Sequence, residues 1–202
     1  MISRVLTTSC LALIVACSGG DETSPTAGGA SASCSTRAYA DIGGPISLID
    51  TSGKPVTEAD FEGRPSLVYF GFTYCPDVCP ASLVVIDQAL EKLPESIEPP
   101  RTILISIDPE RDTPDAMADY ISVDAFPEDI VGLTGSLEDV KAAADTFKTG
   151  FQKVEIPDSA AGYTMDHTSI VYLMDEDWSL KTFFTHDTTS TQMADCLAEH
   201  LS

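Results

Sequence analysis

The sequence predicts an α/β sandwich of three layers with an N-terminal hairpin extension, and three observations carry that reading. Ser66–Phe72 (SLVYFGF) and Arg101–Asp108 (RTILISID) are short, apolar, β-rich runs of the kind that strands buried on both faces require. Stretches of helical spacing separate these runs. The chain then closes with two adjacent strand-like runs and a helix, so that sheet and helix alternate as they do in layered α/β domains.

The elements follow in order. Ile46–Asp50 alternates at period two and runs into Thr51-Ser52-Gly53-Lys54, which is turn chemistry, so a short hairpin is expected there. Ser66–Phe72 is the central strand. From Cys79 to about Leu93 the spacing is helical; Pro80 fits the first helical position and so puts Cys79 at the N-cap, with Cys75 in the loop before it. Arg101–Asp108 is the second buried strand. Thr113-Pro114 opens a helix, with Thr113 as cap and proline at its first position. Ile130–Leu133 is a short strand, and Ser136–Phe147 a helix begun by Ser136 with Asp139 three residues on. His167–Met174 is a strand, Asp175–Ser179 a turn, Leu180–Thr185 a strand, and Thr189–His200 the closing helix. No internal repeat is visible.

The N-terminus stands apart from this domain. Met1-Ile2-Ser3-Arg4 gives a positively charged start, and Val5–Ala16 is an apolar run of signal-peptide length, too short to span a bilayer. The run ends Leu13-Ile14-Val15-Ala16-Cys17, which resembles a bacterial lipobox, where cleavage leaves a lipidated cysteine at the new N-terminus. Residues 1–16 therefore read as a lipoprotein-type signal, residues 17–37 as lipidated Cys17 plus a Ser/Gly/Ala/Thr-rich tether, and residues 38–202 as the domain. The protein is expected outside the cytoplasm, on the periplasmic side of a membrane.

Composition narrows the function. Asp and Glu total 32 against 11 Lys and Arg, a formal net charge of −21 in 202 residues. Nucleic-acid binding, which needs a basic footprint, is excluded. A solvated acidic face explains most of this charge, although it would also attract cations or a basic partner.

Six cysteines punctuate the chain. Cys10 leaves with the signal and Cys17 carries the lipid, so Cys34, Cys75, Cys79 and Cys196 remain in the folded part. Cys75 and Cys79 directly follow the central strand in Tyr74-Cys75-Pro76-Asp77-Val78-Cys79-Pro80, at the strand end where open α/β sheets place their sites. The partial positive charge of the helix start favours a thiolate at Cys79. Three readings stay open on the residues alone: a structural disulfide, a redox-active dithiol, or a soft-metal site needing at least one more ligand. The two prolines and the strand-end position argue against the first. Spacing does not choose between the others.

The residues also match a family. Gly43-Gly44-Pro45, Gly53-Lys54-Pro55-Val56-Thr57, the YFGFTYCPDVCP run, Ser106 through Pro114 (SIDPERDTP) and Met165-Asp166-His167-Thr168-Ser169 together closely resemble the Sco/SenC family, over about residues 38 to 200. The resemblance implies a thioredoxin-like fold that binds one copper ion and helps to build the binuclear copper centre in subunit II of cytochrome c oxidase. Other periplasmic copper donors would supply the ion. The implied ligands are Cys75, Cys79 and His167. Two thiolates and an imidazole suit Cu(I), and the same donors hold Cu(II) with an added oxygen ligand. Asp77 and Asp166 are candidates for tuning the site from behind its ligands.

The implied role is that of a non-catalytic copper chaperone. The alternative is a thiol–disulfide reductase that keeps acceptor cysteines reduced, with Cys75 and Cys79 as its redox pair. An oxidase partner places the chain on the inner membrane, although Ser18 after Cys17 matches an outer-membrane sorting pattern. His186 and His200 read as surface residues, Met165 and Met174 as packing, and Arg111 as a partner for neighbouring acids. Cys34 and Cys196 lie outside the family motifs; they are either a disulfide pinning the N-terminal segment to the last helix or incidental thiols.

Overall fold

Six successive residues, Ser66–Gly71, are buried, and a strand buries consecutive side chains only when both of its faces are covered. The computed structural model describes Cys34, residues 41–157 and residues 159–202. Its strands are β1 (Ser47–Asp50), β2 (Pro55–Thr57), β3 (Ser66–Gly71), β4 (Arg101–Ser106), β5 (Ile130–Thr134), β6 (Phe151–Glu155), β7 (Tyr163–His167), β8 (Ile170–Met174) and β9 (Leu180–Thr185). Its helices are α1 (Val78–Leu90), α2 (Pro114–Ile121), α3 (Leu137–Thr146) and α4 (Ser190–Leu201). Seven strands form one mixed sheet in the order β2-β1-β5-β4-β3-β8-β9, and β6 and β7 pair separately. Strands β3, β4 and β5 run parallel, whereas β8, β9, β1 and β2 join antiparallel at the two sides.

Alternate residues of β3 show the two covered faces. Tyr69 turns its hydroxyl toward Ser82 and Cys79 of α1. In parallel register with Tyr69 are Leu104 and then Gly132, and Gly132 lies against Met117 and Ile121 of α2. Helix α4 packs on α1 in the same layer. Phe70 points the other way, onto Phe147 at the end of α3, with ring centroids 5.3 Å apart. Two right-handed crossovers that step in one direction along a sheet put α1 and α2 on the same face. The result is the predicted three-layer sandwich.

Local chemistry fixes the element starts. Thr113 caps α2 by accepting from the Ala116 N–H, with Pro114 at the first position, and Ser136 caps α3 by accepting from the Asp139 N–H. In the β1–β2 hairpin, Gly53 adopts φ +79° while the Asp50 carboxylate accepts from the Ser52 and Lys54 N–H groups.

Three elements differ from the sequence expectation. Helix α1 begins at Val78 and ends at Leu90, rather than running from Cys79 to about Leu93. The expected strand His167–Met174 is two strands: β7 ends at His167 and pairs with β6, and β8 begins at Ile170 inside the main sheet. The β6–β7 hairpin was not anticipated, because β6 is exposed along most of its length and shows no clear apolar period. No helix among the described residues is long and apolar enough to cross a membrane. The expected signal segment, and Cys17 with it, lie outside the described residues.

Candidate metal centre

Beyond Gly71 the chain turns through Phe72–Asp77 into α1, and a network built on Asp112 holds this loop. Asp112 is completely buried. Its carboxylate accepts from the Thr73 N–H at 3.1 Å, the Thr73 hydroxyl at 2.6 Å and the Ser106 hydroxyl at 2.6 Å. Burial pushes this carboxyl above the usual range against the pull of those bonds. One residue earlier, the Arg111 guanidinium pairs with buried Asp108 and lies between the rings of Tyr74, at 4.5 Å, and Tyr163, at 3.7 Å. The Tyr163 hydroxyl donates to Asp108 at 2.8 Å. The segment Asp108–Asp112 therefore braces the cysteine loop through both Thr73 and Tyr74. Arg111 does pair with an acidic neighbour as the sequence suggests, but its stacking between two tyrosines was not legible there.

Gly71 lets α1 close onto the sheet. A Cβ at this position would lie 3.2 Å from the Cys79 sulfur, the Leu104 Cδ1 and the Tyr69 ring. Cys79 itself is wholly buried, whereas Cys75 is half-buried.

The helix start acts on Cys75, not on Cys79. Asp77 is the N-cap and Cys79 the second helical residue, so the Cys79 N–H has no partner within the helix. It donates instead to the Cys75 sulfur at 3.2 Å. Pro80 sits at the third position without cost, because the first helical bond runs from the Ala81 N–H to the Asp77 carbonyl. The Cys75 thiol is drawn down to about 4, chiefly by the hydrogen bond from the Cys79 thiol, with further bonds from His167 and the Cys79 and Asp77 amides outweighing burial. Cys79 is pushed up from the ordinary thiol value by that same pairing, by burial and by the Cys75 charge. The pair thus holds one proton, with Cys75 as thiolate and Cys79 as donor. This reverses the expectation that the helix favours a thiolate at Cys79. Placing Pro80 at the first position shifted the helix by two residues and so aimed its free N–H groups at the wrong sulfur.

His167, the last residue of β7, brings the third donor. Its Nε2 lies 3.8 Å from the Cys79 sulfur, and its Nδ1 lies 3.1 Å from the Thr168 carbonyl oxygen. A carbonyl only accepts, so Nδ1 carries a proton and Nε2 faces the sulfurs with either a proton or a lone pair. The Tyr69 and Phe72 rings flank the imidazole edgewise at 6.4 and 6.0 Å. Two sulfurs and an imidazole nitrogen that converge at a strand end, one sulfur already ionised, suit a soft metal ion. An ion bound there would take the place of the Cys79 proton and of any proton on Nε2.

The other residues named from sequence fall elsewhere. Asp77 is exposed and makes no side-chain cap bond. Asp166 is exposed and accepts from Gln152 at 3.3 Å, so the Thr168 carbonyl, not Asp166, orients the imidazole. Met165 and Met174 are buried in the core. Cys34 and Cys196 form a disulfide whose Cα atoms are 5.1 Å apart. His200, read from sequence as a surface residue, lies beside this disulfide: one ring nitrogen and both sulfurs are within 4.8 Å of one another.

Residues 35–202 match the SCO1/SenC family. The chain belongs to that family. The SCO1/SenC match takes in both cysteines of the loop, His167 and the Asp108–Asp112 brace. Protein SCO1 homolog 1 of Arabidopsis thaliana mitochondria is 39% identical over 155 residues, 74% of this chain but 44% of that protein. The SCO2-like protein RC0895 of Rickettsia conorii is 36% identical over 156 residues, 77% of this chain and 75% of the relative. The crystal structure of Arabidopsis thaliana ScoI with copper bound superposes with a TM-score of 0.74 at 34% identity, covering 78% of this chain and 96% of that one. The fold is accordingly the thioredoxin-like sandwich of Sco proteins.

Proposed function

We propose that this chain is an exported copper chaperone that binds one copper ion through Cys75, Cys79 and His167 and passes it to the binuclear copper centre of cytochrome c oxidase subunit II or a related acceptor. The observation that carries this reading is the aim of His167: Nδ1 is tied to the Thr168 carbonyl, leaving Nε2 turned to the Cys79 sulfur at 3.8 Å. A purely redox dithiol has no need of that imidazole. The Cys75 thiolate offers the first bond to an incoming Cu(I), Cys79 the second on losing its proton, and His167 the third. Thiolates of the acceptor then displace these ligands one at a time. Family membership and the copper-bound Arabidopsis relative support copper as the ion. Cleavage before Cys17 and lipidation of that residue would hold residues 38–202 at the periplasmic face of the inner membrane, where a tether lets them reach both a copper donor and the oxidase.

The reduced protein should bind one Cu(I) per chain, and His167→Ala should weaken binding by at least about tenfold. Full affinity in that variant would defeat the ligand set.

A second reading has its own support. A half-buried Cys75 thiolate beside a buried, protonated Cys79 is the arrangement of an attacking and a resolving thiol, as a thiol–disulfide reductase acting on acceptor cysteines requires. In that case His167→Ala leaves the rate of disulfide reduction unchanged while copper binding falls.

A further inference from the structure

Cys196 and His200 are one turn apart on α4, on the same face of the helix. Cys34 joins that face through its disulfide to Cys196. Among the described residues, these are the three cysteine, histidine or acidic side chains whose ligand atoms lie within 4.8 Å of one another. The His200 Nε2 is buried and has no hydrogen-bond partner, an unusual state for an imidazole nitrogen. His200 also lines a surface cavity of about 400 Å³, so the histidine end of the group borders open space. We infer that Cys34, Cys196 and His200 form a second soft-metal site, closed while the two sulfurs are bonded to each other and opened to Cu(I) by reduction.

The redox step balances. A dithiol reductant attacks one sulfur of the Cys34–Cys196 bond as thiolate and forms a mixed disulfide. That attack releases the other cysteine. The reductant's second thiol then attacks the reductant's own sulfur in the mixed disulfide and displaces the first cysteine, so the reductant becomes a disulfide and Cys34 and Cys196 gain the two electrons and two protons. Cu(I) binding expels both thiol protons. Two thiolates and one imidazole complete a three-coordinate site, which suits Cu(I); zinc takes four ligands, and no carboxylate stands in this group. Cys34 stays fastened to α4 in both states, by a covalent bond in one and by the metal in the other. This site does not rest on the copper reading of Cys75, Cys79 and His167.

The test separates the two. In the full chain carrying Cys10→Ser, Cys17→Ser, Cys75→Ser and Cys79→Ser, Cys34 and Cys196 are the remaining cysteines. Cu(I), supplied as its acetonitrile complex and competed with bicinchoninate, should bind one per chain after dithiothreitol reduction and removal, and not at all in the oxidised form. Adding His200→Ala should weaken it by about tenfold or more. In the otherwise unmodified chain, reduction of the Cys34–Cys196 bond should raise the Cu(I) count by one, and Cys196→Ser should abolish that increment, which covers the case of a misfolded four-serine variant. No Cu(I) increment on reduction, an affinity indifferent to His200→Ala, or tighter binding of Zn(II) than of Cu(I) under the same competition would each overturn the proposal.

Discussion

Replacing Asp112 separates the hydrogen bonds of the loop brace from its charge. Asp112→Ala removes the acceptors of the Thr73 N–H, the Thr73 hydroxyl and the Ser106 hydroxyl in a place with no exposure to water. The two hydroxyls can rotate toward other acceptors; the Thr73 N–H cannot. An unsatisfied buried donor costs about 1–3 kcal/mol, so with the small cavity added the variant should lose about 2–4 kcal/mol of unfolding free energy. Asp112→Asn keeps an acceptor for the Thr73 N–H and the Ser106 hydroxyl and turns its NH2 toward the Thr73 oxygen. Because burial raises the Asp112 carboxyl in the folded state, the native protein binds that proton more tightly than the unfolded chain does. Its contribution to stability therefore falls as pH rises from the ordinary carboxylate value through the raised one. Asp112→Asn should lie within about 1 kcal/mol of the parent at neutral pH and lack that decline. Urea denaturation of the three proteins across the acid range measures both effects. An alanine variant as stable as the parent, or an asparagine variant as damaged as the alanine, would refute the assignment of the brace to these bonds.

Further outcomes follow from the same geometry. Alkylation of Cys75 should be flat from about pH 9 down to 6 and fall with a midpoint near 4, since its lowered thiol leaves the thiolate in place until then, while Cys79 stays unlabelled in the folded protein; a midpoint at the ordinary thiol value contradicts the one-proton pair. Gly71→Ala sets a Cβ 3.2 Å from the Cys79 sulfur and should cost about 1–3 kcal/mol by crowding, measured by thermal unfolding; unchanged stability would show that α1 does not press on the strand end. Cys34→Ser opens a loop of 162 residues and should lower the unfolding free energy by about 5 kcal/mol at most on chain-entropy grounds; an unmoved denaturation midpoint would deny that this bond constrains the unfolded chain.

Much of the fold was legible because its signals are local. Two continuous apolar runs gave the buried strands, and Thr113-Pro114 and Ser136 gave the starts of α2 and α3 through the capping bonds the structure contains. The β6–β7 hairpin escaped because its exposed residues leave no trace in hydropathy. His167 was assigned to the start of a strand when it ends one, since a run of residues does not say which sheet each part will join. His200 reads as a surface residue in the sequence because the Cys34–Cys196 disulfide beside it joins positions 162 residues apart.

The Cys75–Cys79 pair shows the division most clearly. The sequence by itself determined that Cys75 and Cys79 follow a buried strand and enter a helix, and family motifs added His167. Only the tertiary structure decided which sulfur is ionised. That depends first on the Cys79 thiol donating to the Cys75 sulfur, then on burial of Cys79 beneath Gly71, on an imidazole delivered by a hairpin of another sheet, and on the Cys79 and Asp77 N–H groups reaching Cys75. Each is an electrostatic or solvation effect acting over a few ångströms between groups up to 92 residues apart, and no local pattern encodes such distances.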